Sequence, residues 1–233
     1  MKLGRIAKGA LLNAGLIGSA LLLSGQTTNW LTAVSLNGTS HKIGNPAAKV
    51  RLTEYVSYTC PHCSEFNREA DGALQMAYIS PGTLNVEVRH LIRDPIDLTV
   101  AMLAQCAPQS KFFGNHNAFL SGQPNWIGPL SNSSASQRQR WTAAGSAGRR
   151  AIASDFGFYT IMERRGYLRS EVDRCLGDET KARQLAEQSQ KDWQTPGIGG
   201  TPAFAINGVV MPGTHTWGAL SRQLEDFVRQ SGN

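Results

Sequence analysis

Hydrophobic and polar positions change rhythm along this chain, and each change marks an element. Val50 to Ser57, VRLTEYVS, is β-branched and aromatic, which predicts a strand. A CPHC tetrad follows. SEFNREADGALQMAYIS then places Phe66, Ala70, Ala73, Leu74 and Ala77 at three- and four-residue steps. That spacing predicts a helix with one apolar face, ended by Pro81 and Gly82. Thr83 to Ile92, TLNVEVRHLI, alternates Leu84, Val86 and Val88 with polar neighbours and predicts a second strand. The result is a βαβ unit with two cysteines at the start of its helix.

From Asp94 to Glu179 no stretch alternates as a strand would. PIDLTVAMLAQCA, KFFGNHNAFLSG, AIASDFGFYTIMERRG and RSEVDRCLGD read as helical or loop-like. A block of ~85 residues is too long for a simple loop, so residues 94–179 are expected to be a helical insertion. A further helix is predicted over ETKARQLAEQSQKDW. Strand signals return in TPAFAING and VVMPG, which flank Asn207–Gly208, a strong hairpin dipeptide. WGALSRQLEDFVRQ closes the chain as an amphipathic helix. Residues 26–48 are polar and rich in Gly, Asn and Ser, and read as a linker and turn with a first edge segment. Residues 49–93 and 180–233 are then one α/β domain, split by the insertion. There is no internal repeat.

Composition adds the compartment. MKLGRIAKGALLNAGLIGSALLLSG opens with Lys2, Arg5 and Lys8 and then runs apolar from Ala10 to Leu23, broken only by Asn13, Ser19 and glycines. This is the basic-then-apolar order of a secretory signal, so residues 1–25 are expected to be one and the protein to be periplasmic. An uncleaved anchor is the alternative, although the run is short for a membrane span of ~20 residues. The net charge of the whole chain is +6. No basic tract argues for nucleic acid. Arg138, Arg140, Arg149 and Arg150 are the densest positive cluster and read as a solvated face, with an anionic partner as the alternative. With 17% charged and 41% hydrophobic residues the chain suits a folded domain. Export places its cysteines where disulfides persist.

Cys60 and Cys63, one helical turn apart, suit thiol–disulfide exchange. That chemistry needs one thiolate to attack and a second thiol to release the mixed disulfide. Cys60 at the helix start meets unpaired N–H groups and the positive end of the helix dipole, which lower a thiol pKa. Pro61 fits an early helical position, where its missing N–H costs nothing. His62 can add positive charge or a donor beside the Cys60 sulfur. A zinc site is disfavoured, because Cys106 and Cys175 stand alone and no paired histidines follow. Covalent haem attachment would need His where Ser64 stands. An inert disulfide across one helical turn is the remaining alternative.

EYVSYTCPHCSEF resembles the active-site region of the thioredoxin superfamily in its DsbA-like branch, and GIGGTPAFAING is similar to that family's second mark. The resemblance implies a thioredoxin-like fold, a central mixed sheet flanked by helices, carrying an inserted helical domain. It implies Cys60 as nucleophile and Cys63 as resolving thiol. Pro202 would be a cis-proline facing them, with Thr201 offering backbone hydrogen bonds to an extended peptide. Glu54 would be a buried acid that assists proton movement at Cys63, and strand alternation places it inward. No metal or organic cofactor is implied.

The implied activity is a dithiol oxidase acting on reduced or misfolded exported polypeptides and reoxidised by a DsbB-like membrane partner. An isomerase or reductase on the same fold is the nearest rival, and a non-redox peptide-binding or chaperone module is a second. A monomer is expected, since only ~20 residues separate the signal from the fold, too few for a dimerisation domain. Cys106 and Cys175 are expected to bridge within the insertion, given the compartment and the even cysteine count. Two buried, unpaired thiols are the alternative. His41, His90, His116 and His215 show no metal spacing and read as surface or supporting residues.

Overall fold

The computed structural model describes Met1 and residues 28–232. The expected signal segment, apart from Met1, lies outside the described residues. Six strands form one mixed sheet in the order β1-β2-β4-β3-β5-β6. They are β1 Val34–Asn37, β2 Ser40–Gly44, β3 Val50–Val56, β4 Leu84–His90, β5 Ala203–Ile206 and β6 Val209–Val210. β3 and β4 are parallel, joined through helix α1, Pro61–Ala73, and every other pairing is antiparallel. Eight helices separate β4 from the next long helix. They are α2 Pro95–Ala104, α3 Phe112–Ser121, α4 Gln123–Trp126, α5 Pro129–Asn132, α6 Ala135–Trp141, α7 Ser146–Asp155, α8 Phe158–Arg164 and α9 Arg169–Leu176. α10, Glu179–Trp193, leads back to the sheet, and α11, Trp217–Gly232, closes the fold. Among the described residues no helix is long and apolar enough to cross a membrane.

The segment read as a linker and turn with a first edge segment is, over its described residues 28–48, largely a β-hairpin that carries the sheet edge. Asn37 pairs with Ser40, leaving a two-residue loop in which Gly38 supplies φ +62°. β2 then pairs with β4, and Ser40, His41, Ile43 and Gly44 are buried. Polarity hid the strand, because three of its four buried positions are Ser, His and Gly, and only Ile43 is apolar. Gly44 is required there: at φ +107° a Cβ would sit 2.4 Å from the Leu84 carbonyl oxygen. At the far end Asn207 and Gly208, at φ +50° and +85°, both take the positive φ of a tight hairpin turn between β5 and β6.

Two apolar layers hold the sheet. Val50, Leu52, Phe204 and Ile206 meet Phe66 and Ala70 of α1 and Leu220 and Leu224 of α11. Val56, Tyr58 and Val88 pack instead into the insertion, against Val100, Leu103, Phe112 and Phe119. Truncating one of these buried Phe side chains to Ala would cost ~3–5 kcal/mol. Phe112 anchors a second difference from expectation. His41, His90 and His116 are not surface residues but are 2–5% exposed, with ring centroids 3.9, 6.0 and 5.6 Å from the Phe112 ring. Burial pulls their pKa values down, to about 4 for His41 and about 3 for His116, so all three are neutral and behave as polar aromatics of the core.

The insertion is fastened in several ways. The Ser64 hydroxyl of α1 donates to the Leu120 carbonyl at 2.7 Å, and the Asn67 amide donates to Asn117 Oδ1 and Ser121 Oγ at 2.8 and 2.9 Å. The arginine cluster is largely paired inside the insertion and onto α10: Arg140 with Asp155, Arg149 with Glu179 and Arg150 with Asp173. Arg149 is itself buried, so the cluster is not simply a solvated face. Cys106, just after α2, and Cys175 of α9 are joined by a disulfide across 69 positions, with Cα atoms 5.7 Å apart. Closing so long a loop restricts the unfolded chain strongly. A Cys106→Ala/Cys175→Ala double variant should therefore lose ~2–4 kcal/mol of stability in urea unfolding while keeping its far-ultraviolet circular dichroism. An unchanged unfolding midpoint would contradict a stabilising bridge.

Candidate active site

β3 ends at Val56, and the chain turns through Ser57 to Thr59 before Cys60 caps α1. Cys60 has extended backbone angles and Pro61 takes the first helical turn, so the helix starts at the tetrad. No side chain caps α1. Its first N–H groups are therefore open to an anion at the Cys60 sulfur. Cys63 lies one turn on and is fully buried, while its sulfur accepts the Ser57 N–H at 3.5 Å. Both thiols are free.

The antiparallel pairing of Tyr55 with Ala203 brings the end of β3 beside the start of β5. Thr201 and Pro202, joined by a cis peptide bond, thereby face Cys60. The Thr201 carbonyl accepts the Cys60 S–H at 3.1 Å. That bond alone favours the neutral thiol, and the surroundings outweigh it. Hydrogen bonding from the Cys63 thiol is the largest influence and lowers the Cys60 pKa. Burial opposes it, and the Thr201 hydroxyl, the Cys63 N–H and the Arg93 guanidinium add to it; the result is a pKa pulled down to about 4. The Thr201 hydroxyl has no other partner among the described residues. Cys63 moves the other way. Burial, the donation to Cys60 and the charge of Cys60 push its pKa well above 9. The two thiols are thus driven apart, which is how one fold separates an attacking group from a waiting one.

Glu54 lies on β3 between Val88 of β4 and Phe204 of β5 and is 5% exposed. Burial, helped by the charge of Asp71, raises its pKa to about 8. Its Oε1 has no partner among the described residues, and the side chain lines a cavity of about 50 Å³ shared with Asn67, Asp71 and His116. There is room for a water there. His62 is exposed and makes no hydrogen bond to the Cys60 sulfur among the described residues. It lines a groove of about 620 Å³ beside Cys60, together with Thr201 and His215. Cys106 and Cys175 lie in the insertion and are not brought to this site.

Four residues shape the site without having been singled out for it in the sequence. Asp97 of α2 accepts from the Ser57 hydroxyl at 2.5 Å and the Tyr58 N–H at 2.8 Å, fixing the turn before Cys60. Arg93 donates to the Ser57 and Thr59 hydroxyls at 2.9 and 3.2 Å. The Gln123 amide of α4 donates to the Tyr58 and Cys60 carbonyls at 2.6 and 2.9 Å. His215 Nδ1 donates to the Pro202 carbonyl at 2.7 Å. The only advance signal was Asp94–Pro95, a helix start that makes Asp97 a first-turn acid. The other contacts arise from tertiary placement.

A folded pKa near 4 leaves Cys60 ionised at neutral pH. Iodoacetamide labelling of the reduced chain should rise with a midpoint near 4, and Cys63→Ala should raise that midpoint by removing the thiol donor. A midpoint near 9 would contradict the assignment. Because the folded value lies below the unfolded one, this thiolate stabilises the reduced form fully above pH 9 and loses that effect as pH falls towards 4.

Comparison with known proteins follows the same line. Residues 36–226 match the family model described as Thioredoxin. A Rickettsia typhi protein with the provisional name protein-disulfide oxidoreductase is 29% identical over 168 residues, covering 72% of this chain and 54% of that protein. A Rickettsia bellii protein of the same name is 26% identical, covering 82% of this chain and 65% of that one. The chain thus spans between half and two thirds of these relatives' lengths. Among solved structures it is similar to the protein-disulfide isomerase from Novosphingobium aromaticivorans, at 47% identity and TM-score 0.80, covering 83% of this chain and 99% of that one. Wolbachia pipientis alpha-DsbA1 shares the fold, at 21% identity and TM-score 0.64, covering 87% and 97%. With a thiol pair at a helix start, a mixed sheet that carries it and a family match over most of its length, the chain belongs to the thioredoxin family.

Proposed function

We propose that the chain is a periplasmic protein thiol–disulfide oxidoreductase that works as a dithiol oxidase on exported polypeptides. The observation that carries this reading is the divided thiol pair, with Cys60 held as a thiolate at the helix start and Cys63 held protonated behind it. Stabilising a thiolate favours the reduced pair and makes its disulfide oxidising. The basic-then-apolar N-terminal segment supports export.

The chemistry balances as follows. A substrate thiolate attacks the Cys60 sulfur of the oxidised pair, the Cys60–Cys63 bond breaks, and Cys63 leaves with the electron pair. Glu54, protonated below about pH 8, supplies the proton that the high pKa of Cys63 demands, and regains one from solvent. A second substrate thiolate attacks the substrate sulfur of the mixed disulfide, and Cys60 leaves as its stabilised thiolate. Two electrons have passed to the pair, and a DsbB-like membrane partner would remove them. Thr201 and Pro202 form the wall along which an extended substrate segment lies.

An isomerase is the second reading, favoured by one observation: the similar structure at 47% identity is that of a protein named a protein-disulfide isomerase. Kinetics separates the two. The oxidised chain should consume two thiols of a reduced, unfolded protein per Cys60–Cys63 disulfide, and Cys60→Ser should abolish this. Cys63→Ala, offered a disulfide-bonded protein, should accumulate mixed disulfides at Cys60 as one substrate sulfur leaves as a thiolate, and Glu54→Gln should slow the step in which Cys63 leaves. Faster recovery of a scrambled-disulfide protein than oxidation of a reduced one would instead favour the isomerase. Full activity in Cys60→Ser would end the redox reading and favour a peptide-binding module.

A further inference from the structure

The groove beside Cys60 has a charge opposite to that of the chain. Its volume is about 620 Å³, and Cys60, 3% exposed, adjoins it through Thr201, a lining residue whose carbonyl accepts the Cys60 S–H. One wall is the exposed side of α1, where Glu65 and Glu69 stand one helical turn apart on the same face. Neither carboxylate has an ion-pair partner among the described residues. Arg68, between them in sequence, is turned away and donates to the Ser64 hydroxyl at 2.5 Å. The other ionisable groups of the lining are His62 and His215, and among the described residues no Lys or Arg lines the groove. The chain as a whole carries +6.

The facing wall offers backbone rather than side chains. It is built of Gly197, Gly199, Gly200 and Gly213 with Thr201. Gly199 and Gly200 have open space where a Cβ would be. The N–H groups of Gly199, Gly200 and Thr201 make no backbone hydrogen bond within the described residues. An extended segment can satisfy such donors whatever its side chains are. Discrimination between segments therefore falls to the α1 wall, whose fixed charges are both negative.

We infer that this groove selects polypeptide segments carrying lysine or arginine near the reacting cysteine, with Glu65 and Glu69 as the specificity-determining residues. The inference rests on the thiol–disulfide reading above. Cationic side chains beside the substrate thiol meet the two carboxylates as the segment settles along Gly199–Thr201. Encounter is faster for a complementary charge, and the gain is screened by salt.

The test uses two synthetic peptides of equal length, each with one cysteine, flanked in one by lysines and in the other by glutamates. Thiol consumption by the oxidised full chain is followed in stopped flow at low and high salt. The lysine peptide should react roughly three- to tenfold faster at low salt, in line with two exposed ion pairs, and the ratio should fall towards one near 1 M salt. In Glu65→Gln/Glu69→Gln, both exposed positions, the ratio should collapse at low salt as well. Equal rates in the unaltered chain, or a preference that survives the double substitution, would overturn the inference and leave the redox reading standing. Failure of both peptides to react would overturn the redox reading and the inference with it.

Discussion

The contact between the Cys60 sulfur and the Thr201 carbonyl, 3.1 Å across 141 positions of sequence, is what makes this fold a site. It exists because β3 and β5 run antiparallel with Tyr55 opposite Ala203, so the exit of one strand and the entry of the other share an end of the sheet. A thiol at a helix start and the Thr201–Pro202 turn then meet with no residue needed to bridge them. The groove, the divided thiols and the buried acid all take their positions from that register. Its neighbours enforce it: Phe66 of α1 lies against Phe204 of β5, with ring centroids 4.6 Å apart.

The insertion bears directly on the chemistry. The turn from Ser57 to Cys60 has few backbone partners of its own, and side chains from α2, α4 and the segment between β4 and α2 supply them. Asp97, Gln123 and Arg93 together hold two hydroxyls, one N–H and two carbonyls of that turn. Asp97 does so while buried, and burial pushes its own carboxyl up to about 7 against the pull of its donors. A polar network of this kind defines one geometry when every member is satisfied. The histidines around Phe112 add weight to the same junction, through the 2.9 Å bond between the Tyr58 hydroxyl and His116.

Much of this was legible in the chain. β-Branched and aromatic residues marked β3, alternation marked β4, the tetrad marked the start of α1, and Asn207–Gly208 marked the last hairpin. Alternation also put Glu54 inward, where it lies. The first hairpin was missed because Ser40 and His41 are buried through tertiary contacts that no local pattern announces, although Asn37–Gly38 carries the same dipeptide that revealed the later turn. The buried histidines were misread for a related reason: stacking on Phe112 gives an imidazole an apolar home that its polarity conceals. Adjacency to Cys60 suggested that His62 would attend the sulfur, yet the α1 start turns it to solvent, and Arg93, distant in sequence, supplies the cation.

The proposed oxidase role turns on the asymmetry between the two thiols, which would make their disulfide a ready oxidant. The reduction potential of the Cys60–Cys63 couple, measured by equilibration with glutathione and thiol trapping, tests it most directly. For that role the potential should lie well above thioredoxin's, towards about −180 to −120 mV. A value at or below about −270 mV would place the couple among reductants and rule that role out.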